Sequence, residues 1–147
     1  MNLLFSEYDP AIAAPFIGKW EGCKLTAYKC PAGVWTIGYG HTKGVYEGQT
    51  ITQEDADNLL RDDLTRFAGE LIPLIKVKVT EGQFIALMSF AYNFGVTKFR
   101  RSSVLRNLNN GAIQAAADAL LLWVASGSSY EKGLRKRRNA ERKLFLQ

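Results

Sequence analysis

Residues 21–42 read EGCKLTAYKCPAGVWTIGYGHT, and this stretch decides the fold. It opens on Glu21-Gly22, a pair that suits the end of a helix, because glycine takes the backbone conformation that closes one. The composition then changes. Gly33, Gly38, Gly40, Gly44 and Gly48 punctuate a run rich in Thr, Tyr, Val, Ile and Trp, the signature of short strands and turns. Val34 to Gly40 reads as one strand and Ala27 to Cys30 as its partner, with Pro31, Ala32 and Gly33 turning between them.

On either side of this stretch the period is helical. Upstream, Asp9-Pro10 is a helix start, a capping side chain followed by proline at the first helical position. Ile12, Phe16, Ile17 and Trp20 follow at near-helical spacing, and Pro15 is placed to kink or restart the helix. Downstream, Thr52 can cap a helix with Glu54 and Asp55 in its first turn, carrying Ala56, Leu59, Leu60, Leu64, Phe67 and Leu71 until Pro73 ends it. Thr80-Glu81-Gly82-Gln83 is a capping box before Phe84, Leu87, Met88 and Ala91, stopped by Gly95. A shorter helix starts at Ser102 or Ser103 and stops at Gly111. Ala112 to Val124 is expected to be one further helix, the most buried. Lys132 to Phe145 is the last, and basic. The architecture expected is α+β: a single domain over 1–147, mostly helical, with a small β-hairpin lobe at about 24–48. A connecting helix over about 52–72 joins it to a helical lobe, and a cleft lies between the lobes.

The chain has 147 residues, 47% of them hydrophobic and 22% charged, which is globular composition and excludes disorder. The net charge of +5 draws it to polyanions without choosing among nucleic acid, anionic lipid and wall polymers. Between Lys132 and Lys143 seven cations face only Glu141, the pattern of a solvated helix face or of a surface for anionic outer-membrane lipid. No base-reading motif supports a nucleic-acid partner. Two cysteines seven apart and one histidine make neither a disulfide scaffold nor a zinc site, so no metal or cofactor is expected. The N-terminus carries acids where a signal peptide carries cations, and Ala11 to Ile17 is too short to span a membrane. The reading is therefore a soluble chain made in the cytoplasm.

Glu21 carries the chemistry. A carboxyl in apolar surroundings, here Trp20, Leu25 and Tyr28 in sequence, can stay protonated near neutral pH and serve as a general acid. From composition alone, an exposed glutamate at a helix end is the plainer reading. The local pattern shifts that balance. The stretch resembles the catalytic segment of the phage T4-type lysozymes, glycoside hydrolase family 24, whose pattern is Glu, eight residues, Asp or Cys, five residues, Thr; Glu21, Cys30 and Thr36 fall on it. The resemblance continues through Asn93-Phe94-Gly95, Ser102 to Leu105 and Gly133 to Glu141, and so runs from about Phe16 to Phe145.

The resemblance implies roles. Glu21 would protonate the leaving oxygen of a β-1,4 bond between N-acetylmuramic acid and N-acetylglucosamine in peptidoglycan. Thr36 would help hold the attacking water, since a hydroxyl both donates and accepts. Cys30 stands where the commoner pattern has aspartate. A thiol titrates near 8.5, about four units above a carboxyl, so only about a few per cent is thiolate at pH 7 unless a cation such as Lys29 lowers it. Thiolate base, covalent nucleophile and neutral water-placer are all open uses. Cys23 matches no catalytic position and reads as packing; a disulfide to it would consume the Cys30 thiol. His41, Tyr92, Asn93 and Ser103 are the candidates for the substrate-binding walls. His41 reads more as a tie within the β lobe, and Asn93 equally as a helix cap or a donor to an N-acetyl group. Trp35 and Trp123 read as core. Two alternatives accompany the muramidase: a lytic transglycosylase working with Glu21 alone, and a cationic wall- or membrane-binding protein without catalysis. The chain is expected to be a monomer, and by analogy with phage lysis a holin would release it to the wall.

Overall fold

In the computed structural model, which describes residues 2–147, Asp9 caps a 3-10 turn over Pro10–Ala13 by accepting from the Ala11 N–H at 3.0 Å. Pro15 restarts the chain rather than kinking it: α1 is Ala14–Glu21, with the proline in its first turn, where a missing N–H costs nothing. Gly22, at φ 69°, ends α1 directly after Glu21, and its N–H returns to the Gly18 carbonyl at 3.0 Å.

The hairpin pairs β1 (Lys24–Lys29) with β2 (Trp35–Gly38) antiparallel, with Tyr28 opposite Thr36 and Lys29 opposite Trp35. Both strands differ from the sequence expectation. β1 begins three residues earlier, because Leu25 and Ala27 are also held by the backbone of Ile51 and Gln49 at 2.9 Å. Cys30 belongs to the turn. β2 stops at Gly38, because Gly38 (φ 65°) and Gly40 (φ 84°) fold the chain back until His41 exchanges both backbone bonds with Ile37 at 2.9 Å.

The connecting helix α2 is Gln53–Leu71, started by a reciprocal Thr52–Asp55 capping box, and it buries Ala56, Leu60, Leu64, Ala68 and Leu71 along one face. The centre of the helical lobe is α3 (Glu81–Phe94), capped by Thr80 and Gln83. It is buried almost all round between Phe84 and Ala91, so α3 and not the expected 112–124 segment is the most enclosed helix. That segment divides instead into α6 (Ile113–Ala119) and a 3-10 turn over Leu120–Leu122. α4 (Val96–Arg100) and α5 (Ser103–Asn109) lie between α3 and α6. α7 (Glu131–Phe145) packs along α3. It does so closely: a Cβ on Gly82 would run into the Leu144 carbonyl oxygen.

Candidate active site

Glu21 is the last residue of α1, at the point where the chain leaves the helix for the hairpin. Its side chain is 20% exposed. Gly40 passes so near that a Cβ there would lie 3.2 Å from Glu21 Oε1, so the bare backbone of the glycine makes room for the carboxyl. The surroundings are not the apolar pocket expected. Arg137 Nη1 donates directly to Glu21 Oε2, and Arg137 is itself buried, with 5% of its side chain exposed. A guanidinium gives a carboxylate both charge and a fixed direction.

Arg137 is held by a second set of groups. Its Nε donates to Ser89 Oγ at 3.2 Å and its Nη2 to the Ser89 carbonyl at 3.1 Å. Ser89 Oγ donates to Glu141 Oε2 at 2.6 Å, and the other Glu141 oxygen accepts from Arg138 Nη1 at 2.6 Å. Arg138 also reaches the Trp123 carbonyl at 2.9 Å and Asn93 Oδ1, and lies over the Phe90 ring. Two buried cations and two carboxylates thus balance in one chain of contacts from Glu21 to Asn93. Burial pushes the Glu141 carboxyl up from its ordinary value, and Arg138, Ser89 and Arg137 pull it back. This corrects the reading of Lys132 to Lys143 as a solvated basic face: Arg137 and Arg138 are the inner half of α7, buried against α3. The signal was present as Arg137 and Arg138 at four and three residues before Glu141, the spacing of pairs on one helix face.

Cys30 sits in the hairpin turn, its N–H donating to the Val34 carbonyl at 3.0 Å and its carbonyl accepting from Gly33 at 2.8 Å. The loop closes through Gly33 at φ 79°. Its thiol is held below the ordinary value, first by the backbone N–H of Val34, then by that of Ala32 and by the Thr36 hydroxyl. Lys29 has no part in this; its ammonium lies over the Trp35 ring at 5.4 Å. Thr36 is buried at 3% exposure and donates to the Val34 carbonyl at 2.9 Å, so its one proton serves either that carbonyl or the thiolate. Cys23 and Cys30 are both free. The extended β1 between them keeps them roughly 20 Å apart at about 3.3 Å per residue. Tyr28 is a further residue that the charges here reach: its phenol is pushed up by burial and then by the charges of Glu21 and Cys30.

The remaining candidates separate. A cavity of about 700 Å³ is lined by Glu21, Trp20, Arg137, Asn93 and Tyr130, and by Pro31, the residue after Cys30. Asn93 therefore lies on the cleft wall, with its Oδ1 committed to Arg138. Tyr92 donates to the Tyr39 carbonyl at 2.6 Å, and burial first, then the Glu21 charge, keep its phenol strongly protonated, so it ties α3 to the hairpin. His41 lies between Asp63 Oδ2 at 2.8 Å and the Lys43 carbonyl at 2.9 Å, fastening the β lobe to α2. Ser103 begins α5 after the capping Ser102 and does not line this cavity.

Residues 18–141 match the sequence profile of the family described as "Phage lysozyme". The chain belongs to the phage lysozyme family. It is 40% identical over 133 residues to an endolysin of Acyrthosiphon pisum secondary endosymbiont phage 1, covering 88% of this chain and 91% of that one. To the endolysin of Salmonella phage P22 it is 42% identical over 131 residues, covering 86% and 89%. A relative from Bacteriophage PS119, 42% identical over 127 residues, covering 86% of this chain and 76% of that one, is named SAR-endolysin. Among the described residues of this lysozyme-family chain, no helix is long and apolar enough to cross a membrane. Among solved structures, the muramidase domain of SpmX from Asticaccaulis excentricus superimposes with a TM-score of 0.87 at 38% identity, covering 92% of this chain and 95% of that one. The family's α+β lysozyme fold, a helical body with a small antiparallel hairpin, is the one the sequence predicted.

Proposed function

We propose that the chain is an endolysin muramidase, a glycoside hydrolase that cleaves the β-1,4 bond between N-acetylmuramic acid and N-acetylglucosamine in peptidoglycan, working as one two-lobed domain. The observation that carries this reading is the placement of the Glu21 carboxyl in the wall of a cavity whose edge is the Cys30 turn. Glu21 donates its proton to the leaving glycosidic oxygen as the bond from the anomeric carbon breaks. Arg137 holds the carboxyl in place and stabilises the carboxylate that remains. Water then attacks the anomeric carbon, and the Cys30 thiolate, favoured by the turn N–H groups, takes its proton while Thr36 steadies the water. Membership of a lysozyme family favours this hydrolysis over the transglycosylase route.

The lipid-binding alternative loses Arg137 and Arg138 and keeps Lys132, Lys136 and Lys143 as exposed contacts, beside Arg135 and Arg142, which pair with Glu131 and Asp118. We read it as secondary. The enzyme works as a monomer, and by analogy with phage lysis systems a holin-type pore is its route to the wall. The test is turbidity clearing of peptidoglycan with mass spectrometry of the products. Glu21→Gln loses at least about a hundredfold in rate, the scale of a general acid, and wild-type products carry reducing N-acetylmuramic ends. Clearing by Glu21→Gln at the wild-type rate rejects the site, and 1,6-anhydro ends reject the hydrolase.

A further inference from the structure

A water held for attack keeps one lone pair for the anomeric carbon, which leaves two O–H groups and a second lone pair to be satisfied. The Cys30 thiolate accepts one O–H. Thr36 can accept the other, but it cannot donate in return, because its single proton lies on the Val34 carbonyl at 2.9 Å or goes to the thiol. Neither residue offers a donor to the second lone pair.

Tyr28 has an uncommitted donor. Of the six tyrosines, Tyr8, Tyr39 and Tyr92 donate to fixed acceptors in the protein, and Tyr46 and Tyr130 stand exposed. The Tyr28 ring is half-buried, yet its hydroxyl donates to no other described residue. Nor is that oxygen shut off from water: among the described residues, the buried side-chain polar atoms without a partner are the indole nitrogens of Trp20 and Trp123. The strand register places Tyr28 beside the water-holding pair. It stands directly opposite Thr36, so the two side chains share one face of the hairpin, with Cβ atoms about 5 Å apart. The Cys30 N–H donating to Val34 carries the pairing one step further, and the two-residue period of a strand puts Cys30 on that same face. Lys29 and Trp35, also a facing pair, stack on the other face. Lys24 lies over the Tyr28 ring at 5.6 Å, which steadies the ring and leaves its hydroxyl edge free.

Resting on the muramidase reading, we propose that Tyr28 completes the water site, its O–H donating to the nucleophilic water that Cys30 and Thr36 hold. The step then balances. As the bond from the anomeric carbon to the leaving oxygen breaks, Glu21 gives that oxygen its proton. The remaining lone pair of the water forms the new bond to the anomeric carbon, and a water proton passes to the Cys30 thiolate. Tyr28 keeps its own proton throughout, so it directs the lone pair and takes no part in proton transfer. Three charged groups reach the ring: Glu21 at the end of α1, Cys30 in the turn and Lys24 on β1. Burial first, then Glu21 and Cys30, oppose ionisation of the phenol, which therefore remains a donor at neutral pH.

The experiment compares the wild type, Tyr28→Phe and a protein carrying tetrafluorotyrosine at position 28, all on dispersed peptidoglycan across a range of pH. Tyr28→Phe keeps the ring and removes the donor. It is expected to lose about ten- to hundredfold in kcat, the scale of a misplaced reactant. KM and Tm stay, because the hydroxyl holds nothing in the fold, and the ascending limb stays, because the backbone N–H groups and Thr36 set the thiol. Tetrafluorotyrosine keeps ring and hydroxyl but loses its proton at a lower pH. A phenol without its proton cannot donate, so the rate of that protein gains a descending limb at the titration of residue 28, which ultraviolet absorbance reads in the same sample. A wild-type kcat in Tyr28→Phe overturns the proposal, as does a fluorinated protein whose rate ignores its phenol. An ascending limb that moves in Tyr28→Phe also overturns it, by assigning the hydroxyl to the thiol instead of the water. The fluorinated protein retains the whole side chain, so a misfolded Phe variant does not remove the test. Failure of the muramidase reading shows separately, in the wild type, as peptidoglycan products without reducing ends.

Discussion

At the scale of single residues, the chemistry of Cys30 comes from its backbone neighbours. A thiol has no carboxylate's acidity, but the turn that follows β1 aims the N–H groups of Val34 and Ala32 at it and lowers its proton affinity. If the thiolate is the base, activity rises with pH through a thiol titration lying below the ordinary value of about 8.5. Cys30→Asp, with a carboxyl titrating near 3.9, moves that ascending limb to the acid side by as much as about four units. The other limb stays. A pH–rate profile on dispersed peptidoglycan measures both, and an unmoved ascending limb removes Cys30 from the base role. Cys30→Ala is expected to lose activity that Cys30→Asp keeps. The spacing of the proposed set Glu21, Cys30 and Thr36 was legible because all three lie in one short stretch, the end of α1 and the hairpin after it. Arg137 was not, because it meets Glu21 from 116 residues away.

At the scale of elements, the caps were legible and the close contacts were not. Thr52 and Thr80 each start a helix with a reciprocal capping box, as local pattern alone implies. The glycine inside the second box has a different duty. Gly82 costs α3 about 1 kcal/mol of helix propensity relative to alanine. It is kept because α7 brings the Leu144 carbonyl to where a Cβ would be. Gly82→Ala therefore destabilises, by roughly 1–3 kcal/mol for overpacking, against the sign that propensity predicts. Urea denaturation of the two proteins decides it; a gain in stability would mean that α7 yields at no cost. The 112–124 segment failed as a single helix for a related reason. Its Ala- and Leu-rich composition suits a helix, but the chain tightens to a 3-10 turn at Leu120 and passes the Trp123 carbonyl to Arg138.

At the scale of the whole molecule, one ionic chain joins the cleft to the core. Glu141 is fully buried between Arg138, Arg137 and Ser89, and it anchors the arginine that holds Glu21. Glu141→Gln leaves two buried guanidiniums short of a counter-charge and is expected to cost about 3–5 kcal/mol. For a chain of this size that lowers Tm by roughly ten degrees, which calorimetry reads directly. Muramidase activity measured well below Tm should fall as well, because Arg137 loses its support; full activity would show that Ser89 alone suffices. The sequence by itself determined the helical period, the capped starts, the glycine-broken hairpin and the Glu–Cys–Thr spacing, because each depends on residues a few positions apart. Only the tertiary structure decided which cations of α7 are solvated and which are buried, that His41 answers to Asp63, and that Asn93 faces the cleft. Those outcomes depend on which helix faces meet, and contacts between distant segments leave no local pattern to read.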